Sequence, residues 1–213
     1  PHALGCPALA PVVLCRPFGR PVLSFSLLVR VPKLFLACRP FGTNDIAHWL
    51  DFAHGVRVDG PVGVYSFHFT RSFYNHPPLI GFYLLALNGL GHLGISIPFG
   101  IRAVSSLADV ASASLVFEIV RRRAPLPNAI LAGVGTAASP ILFLISGFHG
   151  NTDPIFVMFS LLAAFLLADM DRPVLAGCAI GVAIGINRVL VVCLPCLLVS
   201  ASFVLRAGLD SVV

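Results

Sequence analysis

Three short polar stretches hold most of the residues that could do chemistry in this chain. The first, GTNDIAHWLDFA at 42–53, places two aspartates, a histidine and the sole tryptophan within seven residues. The second, YNHPP at 74–78, puts His76 directly before two prolines. The third, HGNTDP at 149–154, carries His149, Asn151 and Asp153 between two apolar runs. A carboxylate such as Asp45 can take a proton from a hydroxyl brought within hydrogen-bond reach. A histidine before a helix start sits where free N–H groups and the positive end of the dipole favour an anion. Each stretch also has a plainer reading. Asp45 and Asp153 suit the first turn of a helix, and YNHPP suits a loop-to-helix junction.

Two further charges lie inside apolar sequence. Arg102 and Asp109 are seven residues apart, hence on one helix face two turns apart, and Arg188 interrupts another apolar run. Ionisable groups in such segments are costly and face a protein interior or a cavity. Arg102, nearer one end of its run, is expected to reach a phosphate, with Arg188 as a second, buried cation. A divalent metal held by Asp45, His76, His149 and Asp153 is an alternative. No pair among them has helical ligand spacing, and no metal or other cofactor is expected. No phosphate-binding glycine loop, dinucleotide fingerprint, G-x-S-x-G or H-E-x-x-H occurs. Six cysteines lack zinc-site spacing. The C-x-x-C at 193–196 has no thioredoxin-like context, so the cysteines are read as small buried apolar residues.

The composition decides which elements must position these groups. Of the 213 residues, 57% are hydrophobic and only 11% charged, against about 25% charged in soluble domains. The mean hydropathy is +0.93. An all-α, multi-spanning transmembrane bundle follows, embedded in a lipid bilayer. The net charge of +5 is then a matter of orientation rather than of nucleic-acid binding. Residues 1–20 read as a poorly defined segment and 21–213 as one membrane domain. Spans are expected at 21–37, 99–120, 128–147 and 154–168, and at 173–200 as one kinked helix or two pieces. The arginine triplet at 121–123 marks the cytoplasmic side. With 77–93 lying along the membrane rather than crossing it, an outer loop at 42–98 and a second at 148–153 share one face. Ile46, Trp49, Leu50 and Ala53 follow the i, i+3, i+4, i+7 pattern. They predict a short interfacial helix, apolar face down, Trp49 at the headgroups, and Thr43 or Asn44 as cap.

The series GTNDIAHWLDFA, YNHPPLIGFYLLAL, R-x6-D, GFHGNTDPIFVMFSLLAAFLL and AGCAIGVAIGINRV, over 41–198, resembles the GT-C glycosyltransferases that use polyprenyl-phosphate sugars. It is most similar to the bacterial mannosyl- or glucosyltransferase-like members. The resemblance implies a plasma-membrane enzyme that transfers a hexose, with inversion, from a polyprenyl-phosphate donor to an acceptor hydroxyl at the outer face. It implies Asp45 as general base. It implies substrate contacts from Asn44, His76, Arg102, His149, Asn151, Asp153 and Arg188. Such members often carry Lys where this chain has Asn187, and they continue into further spans, so a partial member is implied. A transporter or lipid-handling protein without catalysis, or an inactive fragment, is the alternative reading of the same residues.

Overall fold

A computed structural model describes residues 20–28, 43–69 and 73–188. Every regular element among them is helical. Helix α1 is Arg20–Leu28; the rest of the first expected span, and the part of the last one beyond residue 188, lie outside the described residues. Helix α2, Asn44–Gly63, carries Asp45 in its first turn, with Thr43 at the cap position. The Thr43 side chain makes no cap bond; the turn is closed by the Ile46 N–H donating to the Thr43 carbonyl at 3.1 Å. The helix breaks at Gly60, whose φ of 78° is open to glycine at little steric cost, and Pro61 restarts it.

Helix α3, Pro78–Leu90, begins on the two prolines. Its 13 residues extend about 20 Å, less than the ~30 Å of a bilayer's hydrocarbon core. Asn88 pins it to α2 by donating to the Ala53 carbonyl at 2.8 Å. Helix α4, Ile97–Arg121, is capped by Ser96, whose hydroxyl accepts from the Phe99 N–H. Helix α5, Leu126–Ala137, leads into α6, which starts at Pro140–Leu142 and continues as a π-helical segment, Phe143–His149. Helices α7, Asp153–Ala168, and α8, Pro173–Ile186, form a hairpin. Ala163, Ala176 and Ala179 are buried where they meet, and such small side chains allow close helix approach.

Among the described residues, two stretches are long and apolar enough to cross a membrane: Ile97–Arg121, 25 residues at mean hydropathy 1.6, and Leu126–His149, 24 residues at 1.9. The stretch expected to span at 128–147 is therefore long and apolar enough, but bent. Pro140 cannot donate within a helix, and Ser139 before it has left helical geometry. The span expected over 173–200 ends its described helix at Ile186, because Asn187 is extended, with φ −142° and ψ 120°.

Helix α4 turns its polar residues inward. Arg102, Ser105, Ser106, Asp109 and Ser112 are buried, whereas Leu107 is 62% exposed. Leu131, Ile141 and Val174 are likewise among the most exposed side chains. Asp109 meets another helix, accepting from the Ser146 hydroxyl of α6 at 2.6 Å. The main core gathers Ile46, Trp49, Phe52 and Val56 of α2 against Ile80, Leu84 and Leu87 of α3, Ile101 of α4, Ile155 of α7 and Ile186 of α8.

The buried face of α2 keeps Ile46, Trp49 and Ala53 of the four apolar residues expected, but not Leu50. Trp49 is buried in protein contacts rather than lying at a headgroup layer, and Leu50 is 47% exposed. Phe52 and Val56 take the inward positions, because α3 packs against that side of the helix. Cys178 is exposed rather than buried; the other five cysteines lie outside the described residues.

The arginine triplet has structural partners. Arg121 and Arg122 both pair with Glu118, at 2.6 and 3.3 Å. Arg123 pairs with Asp169 at 2.9 Å. Arg122 also donates to the Asp169 carbonyl at 3.0 Å and lies over the Phe165 ring, 4.9 Å from its centroid. These contacts tie the end of α4 to the α7–α8 turn.

Candidate functional site

The opposite end of α7 leads to a cleft of about 260 Å³, lined by Asp45, His48, Trp49, Phe52, Phe73, Asn75, His76 and Asn151. Four of these residues come from one face of α2. Positions 45, 48, 49 and 52 recur at i, i+3, i+4 and i+7. The Asp45 side chain is 45% exposed, and its Oδ2 lies 3.8 Å from Nδ1 of His149, itself 43% exposed. The carboxylate thus combines access to water with a basic neighbour at the end of α6.

The loop that supplies His149 and Asn151 is held from below by α4. Arg102 is fully buried and donates through Nη2 to the Phe148 carbonyl at 3.2 Å. Ser105 donates to the Asn151 carbonyl at 2.6 Å. The turn requires left-handed backbone at Gly150, φ 66°, and leaves no room for a side chain: a Cβ there would lie 2.6 Å from Cδ1 of Ile46. The Asn151 side-chain oxygen accepts from the Thr152 N–H at 2.6 Å, and its amide donates to Asp153 at 3.1 Å. Asp153 also accepts from Asn187 at 2.9 Å, which joins the loop to the end of α8.

His76 is boxed by aromatic rings. Its centroid lies 4.7 Å from Trp49, 5.5 Å from Phe52 and 5.7 Å from Tyr74. The Tyr65 hydroxyl donates to its backbone carbonyl at 2.7 Å. Burial, and secondarily the charge of Arg188, push the imidazole from 6.5 down to about 4. Burial, helped by Tyr65, raises the Tyr74 hydroxyl, and burial raises that of Tyr65.

The expected site residues therefore divide. Asp45, His76 and Asn151 line the cleft, and His149 stands beside Asp45. Asp153 is turned to Asn151 and Asn187. Arg102 lies beneath the loop, not on the cleft wall, because its guanidinium holds the Phe148 carbonyl. Arg188 is exposed rather than buried, since α8 stops just before it. Asn44 is the first residue of α2, and its side chain is outside the described part. Among the described residues no group of three His, Cys, Asp or Glu side chains has metal-binding geometry. His48, Phe52, Phe73 and Asn75 enter the cleft without having been singled out from the sequence. Helical spacing from Asp45 signals the first two and the YNHPP stretch contains Asn75; nothing local signals Phe73.

No protein family, curated protein or solved structure matches this chain.

Proposed function

We propose that the chain is part of a GT-C-type membrane glycosyltransferase, moving a hexose from a polyprenyl-phosphate donor to an acceptor hydroxyl. The observation that carries this reading is the placement of Asp45. It is a half-exposed carboxylate beside His149 on a cleft, at the end of α7 opposite the arginine cluster. The inward polar stripe and outward leucines of α4 support a bundle in lipid. With the arginines cytoplasmic, the cleft opens on the outer face of a multi-pass protein, in a bacterial plasma membrane by the resemblance.

In this mechanism Asp45 accepts the proton of the acceptor hydroxyl as its oxygen bonds to the anomeric carbon. The bond from that carbon to the phosphate oxygen breaks, and the polyprenyl phosphate leaves with the electron pair. Attack opposite the leaving group inverts the centre. The departing phosphate needs positive charge or N–H donors. Arg188 is exposed, and its charge already acts on His76. His76, with a pKa of about 4, is neutral near pH 7, so it contributes shape and hydrogen bonding rather than charge. Arg102 acts at one remove, by holding the His149 loop.

The test uses membranes containing the full-length protein and labelled polyprenyl-phosphate hexoses. Asp45→Asn should lower transfer by about 10²–10⁴-fold, the usual contribution of a general base. Equal transfer by variant and parent removes Asp45 as the base. No transfer by the parent from any such donor overturns the enzymatic reading.

A further inference from the structure

We infer that the cleft takes a neutral saccharide as acceptor, with its ring against Phe73 and its hydroxyl rim at Asp45, Asn75 and Asn151. The identity of the reacting hydroxyl rests on the reading just given; binding of the saccharide does not. Phe73 is 91% exposed yet lines the same cleft as the carboxylate and both amides. A pyranose is amphipathic in the matching way: its C–H face is apolar, and every rim hydroxyl both donates and accepts. Asn75 supplies donors and acceptors, Asn151 offers the capacity left beyond its bonds to Thr152 and Asp153, and an ionised Asp accepts only. Trp49 and Phe52 extend the aromatic surface on the α2 side.

Charge and size narrow the occupant. Among the described lining residues there are one acidic side chain, two histidines and no Arg or Lys, so a phosphate here would face Asp45 without a permanently charged cation in the wall. The cleft therefore suits the acceptor, while the donor phosphate belongs toward Arg188. At about 260 Å³ it falls below the roughly 300–1,000 Å³ of pockets that take drug-sized ligands, which fits one sugar ring. A peptide serine would use Asp45 but leave Phe73, Asn75 and Asn151 without a role.

Trp49, the sole tryptophan, lies in this wall and reports on binding. The full chain in detergent is titrated with methyl glycosides of glucose, mannose, galactose and N-acetylglucosamine, and with N-acetylserinamide as the peptide-type control. At least one glycoside should shift Trp49 emission saturably in the millimolar range. Phe73→Ala should weaken it ten-fold or more, and Phe73→Tyr should retain it. Because Phe73 is so exposed, both variants should melt like the parent. Absence of any saturable shift with the glycosides, or equal affinity in Phe73→Ala, overturns the inference. Transfer from a polyprenyl-phosphate hexose to N-acetylserinamide without glycoside binding leaves the enzyme reading standing and sinks the saccharide site. Glycoside binding through Phe73, without transfer from any such donor, does the reverse.

Discussion

At the residue scale, His76 shows how environment redirects a side chain. From sequence it stands at a helix start that favours an anion; inside its ring of Trp49, Phe52 and Tyr74 it is a neutral imidazole near pH 7. The consequence for stability has a definite sign. The folded pKa is about 4, against an ordinary 6.5. Between those values the unfolded chain binds a proton that the folded chain refuses, so stability falls as pH drops from about 6.5 to 4 and levels off below. The loss attributable to this residue is at most on the order of 3 kcal/mol. Melts in detergent across that window should show a smaller slope for His76→Gln than for the parent; identical slopes would mean that His76 is not held neutral. Arg102 makes a related point, since a buried guanidinium that holds a loop carbonyl contributes position rather than contact with substrate.

At the element scale, α2 offers two overlapping helical faces. One runs through 46, 49, 50 and 53, the other through 45, 48, 49 and 52, and hydropathy selects the first. Packing against α3 keeps Ile46, Trp49 and Ala53 buried but exchanges Leu50 for Phe52: Phe52 is 5% exposed and Leu50 47%. Phe52→Ala should therefore cost about 3–5 kcal/mol, whereas Leu50→Ala should cost under about 1 kcal/mol. Denaturation of the two variants in the same detergent tests this, and the reverse order would restore the face read from hydropathy. Other element-level features were readable in advance. Pro77 and Pro78 start α3, Asp153 and Pro154 start α7, and Arg102 and Asp109 share a face, because these signals come from a few neighbouring residues.

At the scale of the whole molecule, the ion pairs of Arg121, Arg122 and Arg123 and the Asp45 cleft lie toward opposite ends of α7. If those ends face opposite sides of a membrane, single cysteines introduced into a cysteine-free background separate cleanly. Replacements of His54 and His149 should be labelled by an impermeant thiol reagent from one side, and a replacement of Asp171 only from the other. Labelling of His54 and His149 from opposite sides would overturn the shared-face arrangement. That Ile97–Arg121 and Leu126–His149 are long and apolar enough to cross a membrane follows from composition, which is a local property; Asp153–Ala168 and Pro173–Ile186 are apolar but shorter. The bend at Ser139–Pro140 and the end of α8 at Ile186 required backbone geometry.

The sequence by itself determined the helical class and three polar junctions carrying Asp45, His76, His149 and Asn151; of the five spans it predicted, two are long and apolar enough to cross a membrane among the described residues. Composition, helical periodicity and proline placement act over a few residues, so they survive without a partner. Tertiary structure decided the rest. It brought His149 to within 3.8 Å of Asp45 across about a hundred residues of chain, and set Phe73 and Asn75 into the same cleft. It buried Arg102 under the loop that it holds and exposed Arg188. Those outcomes depend on which helix faces which, and a buried charge or an open ring is defined only by what packs around it.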